Sequence, residues 1–164
     1  MDLHRVDRYD ADVERVFAML SDETFLKGKF AALDHAPGQV LELDEVGSVF
    51  RIKTQRVVEI DVPGFARKFL TPTNTLVQTD DWGENINGVR VGTWTIDAKN
   101  VPVTITGTIR LAPVDAGCTN TIDAHIKSSI PLVGGKIEGV VGKGTEKTME
   151  GEYAFGVEWL TRQA

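Results

Sequence analysis

The run Ile130-Pro131-Leu132-Val133-Gly134-Gly135-Lys136-Ile137-Glu138 opens the last thirty-five residues of the chain, and no proline follows it. Apolar residues then recur at Ile137, Val140, Val141, Met149, Tyr153, Phe155, Trp159 and Leu160. The spacing is close to helical, with a polar stretch in the middle, and predicts one long C-terminal helix. A helix of this length needs a large apolar surface to lie on. The residues before it read as the strands that would supply one.

From Gln39 the period changes to two. Phe50, Ile52, Thr54, Arg56 and Val58 share the more apolar face of one strand. Further strands are expected at Thr75–Trp82 and at Val89–Ala98, the latter with Trp94 and Ile96 on one face. Val103, Ile105, Gly107, Ile109 and Leu111 alternate with polar residues, as do Ile122, Ala124 and Ile126. Short connections between these strands imply antiparallel pairing. At the other end of the chain, Leu3–Tyr9 fits an edge strand. Asp10 is placed to cap a helix carrying Val13, Val16, Phe17 and Leu20 inward. Ser21 or Asp22 caps a second short helix with Phe25, Leu26, Phe30 and Leu33 inward, broken by Asp34–Gly38. The expected fold class is α+β: a curved antiparallel sheet of about seven strands wrapped around the long helix, with two short helices after the first strand. Residues 1–164 are expected to form a single domain.

Composition narrows the partners. Lys plus Arg is 18, Asp plus Glu is 24, and the net charge is -6. That balance disfavours nucleic acid and stable association with an anionic membrane. The lone Cys118 cannot form an internal disulfide. The N-terminus lacks a secretion signal and no apolar run approaches ~20 residues, so a cytoplasmic location is expected.

Three stretches carry a resemblance: Val91-Gly92-Thr93-Trp94, Pro102-Val103 through Gly107-Thr108-Ile109, and above all Ile130 to Glu138. With the order of elements, they resemble the helix-grip superfamily of START, pathogenesis-related allergen and polyketide-cyclase (SRPBCC) proteins. More narrowly, they resemble a mainly actinobacterial family within it that has no activity attached. The likeness covers nearly the whole chain. It implies a cavity between sheet and long helix that holds an apolar small molecule, and some members of the superfamily are cyclases. Fold alone does not give function.

Gly134, Gly135, Gly139, Gly142, Gly144, Gly151 and Gly156 crowd the helix, each interior glycine costing roughly 1 kcal/mol against alanine. Either the missing side chains enlarge the cavity or admit the sheet closely, or the first turns are irregular and the helix starts near Gly144. The glycine-lysine pairs fail the phosphate-loop spacing. A loose anion site at the helix start stands against a plain glycine turn.

The sharper polar lead is Arg56 and Arg90, with Asp80 placed near Arg90 and Gln78 near Arg56 if their strands pair across Gly83–Gly88. Such a group would orient a ligand carboxylate or carbonyl; the plainer reading is an ion pair at the rim. His4, His35 and His125 are scattered, so no metal and no cofactor is expected. Pro63–Leu70, with Phe65 and Phe69, suits a lid at the cavity mouth, or plain packing.

The expected function is binding of an apolar small molecule: a lipid, isoprenoid or polyketide. The candidate ligand-binding residues are Phe50, Ile52, Arg56, Trp82, Arg90, Trp94, Ile105, Ile109, Ile122, Ile126, Val141, Met149 and Tyr153. The alternative is a cyclase- or dehydratase-like enzyme using the same cavity, with Arg90, Asp80, Glu152 or Tyr153 acting on the substrate. That alternative requires at least two polar groups converging inside the pocket.

Overall fold

The computed structural model describes residues 1–164. Its elements run β1 (Asp2–Tyr9), α1 (Val13–Leu20), α2 (Glu23–Ala32), β2 (Gly38–Val46), β3 (Val49–Glu59), a single 3-10 turn (Gly64–Ala66), β4 (Thr73–Trp82), β5 (Arg90–Ala98), β6 (Val103–Val114), β7 (Gly117–Ser128) and α3 (Gly134–Arg162). The seven strands form one antiparallel sheet in the order β1-β7-β6-β5-β4-β3-β2. Six strands follow one another as a meander, and β1 returns to pair with the last. This is a helix-grip α+β fold.

The helix caps are local and specific. Asp12, not Asp10, caps α1, its Oδ1 accepting from Arg15 N at 2.8 Å. Two residues earlier the chain has only just left β1, so Asp10 is too far from the first turn. Asp22 caps α2, accepting from Phe25 N at 2.7 Å. Val13, Val16 and Met19 from α1, and Phe25, Leu26 and Phe30 from α2, are buried. The hairpin between β4 and β5 turns on Asn87 (φ 53) and Gly88 (φ 84), the pairing that matches strand twist.

The helix α3 is continuous from Gly134, so of the two readings of its glycines the irregular start with a helix from Gly144 does not hold. Its 29 residues span about 44 Å. Two devices hold its N-terminal end. Glu138 Oε1 accepts from Ser128 N at 3.0 Å, tying the first turn to the end of β7. Ile137 is completely buried.

The glycines of α3 fall into two kinds. Gly142 and Gly156 are buried. A Cβ at Gly142 would meet Met1 Sδ at 2.5 Å, and one at Gly156 would meet Met19 Cε at 3.2 Å and Tyr9 at 3.4 Å. These two permit close approach. A Cβ at Gly139 would meet nothing within 4 Å. That glycine leaves space.

Aromatic packing fills one end of the grip. Phe25 stacks near Phe155 and Trp159, with centroids 5.4 and 5.5 Å apart. Tyr9 meets Tyr153 edge-on at 5.3 Å. The C-terminal half of α3 is therefore packed against β1, α1 and α2. Its N-terminal and central turns stand over the middle of the sheet, and the space lies there.

Candidate ligand-binding cavity

A cavity of about 1330 Å³ lies between the sheet and α3. Ligand pockets usually measure ~300–1,000 Å³, so this one has room for a substantial molecule. The strands supply its floor because their period-two alternation sends one row of side chains from each strand to the concave face. Trp82, Trp94, Ile105, Ile109 and Ile122 lie on that floor. Val141 and Met149 close it from α3. Gly139 and Gly144 lie on the same helical wall.

Gly107 positions one of these walls. A Cβ there would collide with the Asp123 carbonyl oxygen and would stand 2.5 Å from the indole Nε1 of Trp94. The absent side chain lets the Trp94 ring lie flat on the sheet, since Trp94 and Gly107 are register partners.

Six expected site residues lie elsewhere. Arg90 is outside the cavity. Its Nε and Nη2 donate to Glu14 at 2.8 and 3.0 Å, its Nη1 donates to Gly83 O at 2.9 Å, and its guanidinium lies 3.9 Å from the Phe17 ring centroid. Register explains the error: Asp80 pairs with Trp94 and Trp82 with Gly92, so Arg90 falls past the end of β4 and never meets Asp80. Phe50 packs edge-on against Phe17 at 5.8 Å. Ile52 is 2% exposed within the packed core. Ile126 is sealed beneath α3, close to Gly142. Tyr153 turns away to Tyr9 and donates to Arg8 O at 2.8 Å. Phe69 is half-buried and packs on the core, not on the cavity.

Phe65 does face the cavity, from the segment between β3 and β4, and is 47% exposed. Lys136 Nζ lies 5.9 Å from its ring centroid, so this segment meets the first turn of α3 at the cavity's edge.

The polar lining is where the structure adds most. Arg56 faces the cavity from β3 and is only 3% exposed. It makes no hydrogen bond or ion pair with the protein, and its Nε is buried without a partner. The Phe30 ring lies 5.9 Å from its guanidinium carbon. Asp80 and Gln78 share the same face of β4. Gln78 Nε2 donates to Asp80 Oδ1 at 2.8 Å. In the sheet register Arg56 stands opposite Leu76, one step diagonal from Gln78. From α2, Lys29 Nζ reaches to 3.1 Å from Glu152 Oε1 of α3. His35, buried in the break after α2, completes the group, with its Nδ1 unpartnered.

These charges act on one another. Burial pushes the Asp80 carboxyl up to about 6, against the Gln78 hydrogen bond and the Lys29 and Arg56 charges. Glu152 is held below the usual carboxylate range, because Lys29 and Arg56 outweigh its own burial. Burial first, and Arg56 second, lower His35 and favour its neutral form. Two carboxyl groups in one cavity are thus pushed in opposite directions, the pattern that separates an acid from a base.

Lys29 and His35 are members of this group that the sequence did not suggest. Lysine is rarely buried, so a lysine next to Phe30 reads as surface. His35 sits in a turn with no periodicity to orient it. On the outer face, His4 pairs with Asp123 and His125 with Asp2, both exposed and both cross-strand neighbours. No group of three or more His, Cys, Asp or Glu side chains is arranged to hold a metal. No helix is long and apolar enough to cross a membrane.

A family model described as "Protein of unknown function (DUF2505)" matches residues 5–160. The chain belongs to this family. Among curated relatives, it is 23% identical to an uncharacterized protein of Mycobacterium tuberculosis, over 93% of this chain and 92% of that one. Among solved structures, the protein TTHA0849 of Thermus thermophilus is similar with TM-score 0.69 and 16% identity, covering 100% of this chain and 99% of that one. A STAR-related lipid transfer protein from Xanthomonas axonopodis gives TM-score 0.62 at 15% identity, covering 94% and 85%. Human STARD10 gives 0.60 at 12% identity, covering 98% and 66%. At these identities the likeness places the DUF2505 chain in the START-like helix-grip fold and goes no further.

Proposed function

We propose that this protein binds an apolar small molecule of the size of a lipid, isoprenoid or polyketide between its sheet and α3. The observation that carries the reading is the cavity of about 1330 Å³ with tryptophan and isoleucine on its floor. A packed core would fill such a space, because protein interiors have close to crystalline density. Removal of apolar ligand surface from water then supplies the affinity, at about 25 cal/mol per Å² before the costs of association. The structural likeness to a protein named for lipid transfer supports the same reading.

A second reading is favoured by one observation. Arg56, Asp80, Lys29, Glu152 and His35 all line one cavity, the kind of polar grouping a cyclase- or dehydratase-like enzyme would need. In that reading Asp80 gives or takes the proton and Arg56 holds the oxygen. A binder returns its ligand unchanged; an enzyme does not.

Fluorescence titration with the uncharged dye Nile red tests the primary reading. Saturable binding by the wild type, abolished by Gly139→Trp, is expected, since that side chain would project into open space on the helical wall. Unaltered dye binding by a folded Gly139→Trp would place the dye elsewhere and count against the cavity.

A further inference from the structure

Arg56 stands out from every other charge in the molecule. Lys29 has Glu152, Arg90 has Glu14, Arg51 has Asp81, and Arg5 has Asp7. Arg56 is more deeply buried than any of these partners in an ion pair, and it has no protein counter-charge within 4.0 Å. A lysine or a carboxyl in this position would relieve the cost by changing its protonation. Arginine cannot, because it stays protonated throughout the accessible range. A buried guanidinium without a counter-charge is costly to the free protein. A protein that keeps one facing a cavity gains if an anion arrives there.

We infer that Arg56 is the head-group site of this cavity and that the ligand is an apolar carboxylic acid, its carboxylate held by the Arg56 guanidinium and its body on the Trp82, Trp94 and Ile105 floor. This rests on the proposed binding of an apolar molecule and adds the class of that molecule.

The surroundings favour an anion at this point over a neutral polar group. The planar guanidinium presents paired N–H donors that match the two oxygens of a carboxylate. Of the two acidic groups nearest in the cavity, Glu152 is already engaged by Lys29 at 3.1 Å, and Asp80 Oδ1 already accepts from Gln78 at 2.8 Å. Neither is within ion-pair distance of Arg56. Burial also drives Asp80 toward its neutral form, which lessens its competition with an incoming carboxylate. The unpartnered Nδ1 of His35 is a further hydrogen-bonding atom in the same lining. Lys29, Arg56, Lys136, Lys143 and Lys147 match in number the five carboxyl groups of the lining, so the cavity is close to neutral despite the net charge of -6.

The test is displacement of Nile red from the full chain by tetradecanoic acid and by tetradecan-1-ol, which share their apolar body and differ in the head. The acid is expected to displace the dye at a concentration lower by about tenfold or more, the usual worth of a hydrogen bond to a charged group. Arg56→Met should lose the preference, so that acid and alcohol displace the dye at equal concentration. Without ligand it should melt at the same temperature or higher, since it removes an unpaired buried charge. Equal displacement by acid and alcohol in the wild type, or a preference that survives Arg56→Met, overturns the inference and leaves the cavity reading standing. A wild type that binds no dye overturns the cavity reading and this inference with it. Should Arg56→Met fail to fold, the wild-type comparison alone decides whether an anionic head is preferred.

Discussion

Lys29 Nζ stands 3.1 Å from Glu152 Oε1, and that pairing leaves Arg56, on the facing strand, alone. The two cations differ in what they can do. Lys29 and Glu152 bridge α2 to α3 and brace one wall of the cavity. Arg56 is free to engage whatever enters. Breaking the brace should destabilise the fold: Lys29→Met leaves the half-buried Glu152 without its nearest cation, and a loss of about 1–3 kcal/mol in urea unfolding is expected. Lys29→Met combined with Glu152→Leu should recover most of that loss, because an apolar pair of similar volume carries no desolvation cost.

Asp80 sets a pH dependence of definite sign. Its folded-state value is raised from the ordinary 3.8 to about 6 by burial. Within that window the folded chain binds more protons than the unfolded chain. The stabilisation is fully present below 3.8 and is lost as pH rises through about 6. Asp80→Asn retains an acceptor for Gln78 and carries no charge. At neutral pH it should be more stable than the wild type, by at most ~3 kcal/mol, and the difference should vanish in acid. Denaturant titrations of both proteins across this range check it; a gap that widens toward low pH would contradict the assignment.

Strand alternation points Arg90 into the ligand site, but the structure places it outside the cavity. Its contacts with Glu14, Gly83 and Phe17 fasten the β4–β5 hairpin to α1. Arg90→Ala should therefore lower stability by roughly 1–2 kcal/mol, through a lost bidentate pair and a lost ring contact. Dye and fatty-acid affinity should not change. Calorimetry and titration on the same sample separate the two effects.

The contrast between Arg90 and Arg56 shows what the sequence could reveal. Period two in Val49–Glu59 places Arg56 on the inner face, and β3 does present it there with Ile52, Thr54 and Val58. The same rule places Arg90 with Trp94 and Ile96. Alternation gives the face of a strand but not its offset from the next one. A register offset of four residues, with Asp80 opposite Trp94 and not Arg90, carries Arg90 past the end of β4. Period alone also cannot tell core from cavity. Ile126 and Ile122 share a face of β7, yet one is sealed beneath Gly142 and the other lines the cavity. The distinction depends on where α3 touches the sheet. That in turn depends on glycines whose helical propensity argues against a helix at all. Tertiary contact overrode propensity from Gly134 onward.

Gly139 and Gly107 should respond in opposite ways to alanine. The first has open space around its Cβ direction and an ordinary helical setting, so Gly139→Ala should stabilise by roughly 1 kcal/mol. The second would drive a methyl into the Asp123 carbonyl and the Trp94 ring, so Gly107→Ala should cost about 1–3 kcal/mol and disturb the cavity floor. Thermal melts of the pair distinguish glycine kept for space from glycine kept for contact.

Phe65 and Phe69 should likewise separate. Phe65 is exposed at the cavity's edge, and Phe69 packs on the core. Phe65→Ser should speed dye release with little change in melting temperature. Phe69→Ser should lower the melting temperature. Stopped-flow dilution of the dye complex provides the rates, and an unchanged rate in Phe65→Ser would mark that residue as packing alone.

The most direct test of the central claim is native mass spectrometry of the protein purified from its own host without detergent, followed by denaturing extraction. An occupied cavity predicts a stoichiometric adduct that extracts as an apolar molecule. A mass equal to the chain alone, before and after denaturation, would contradict it.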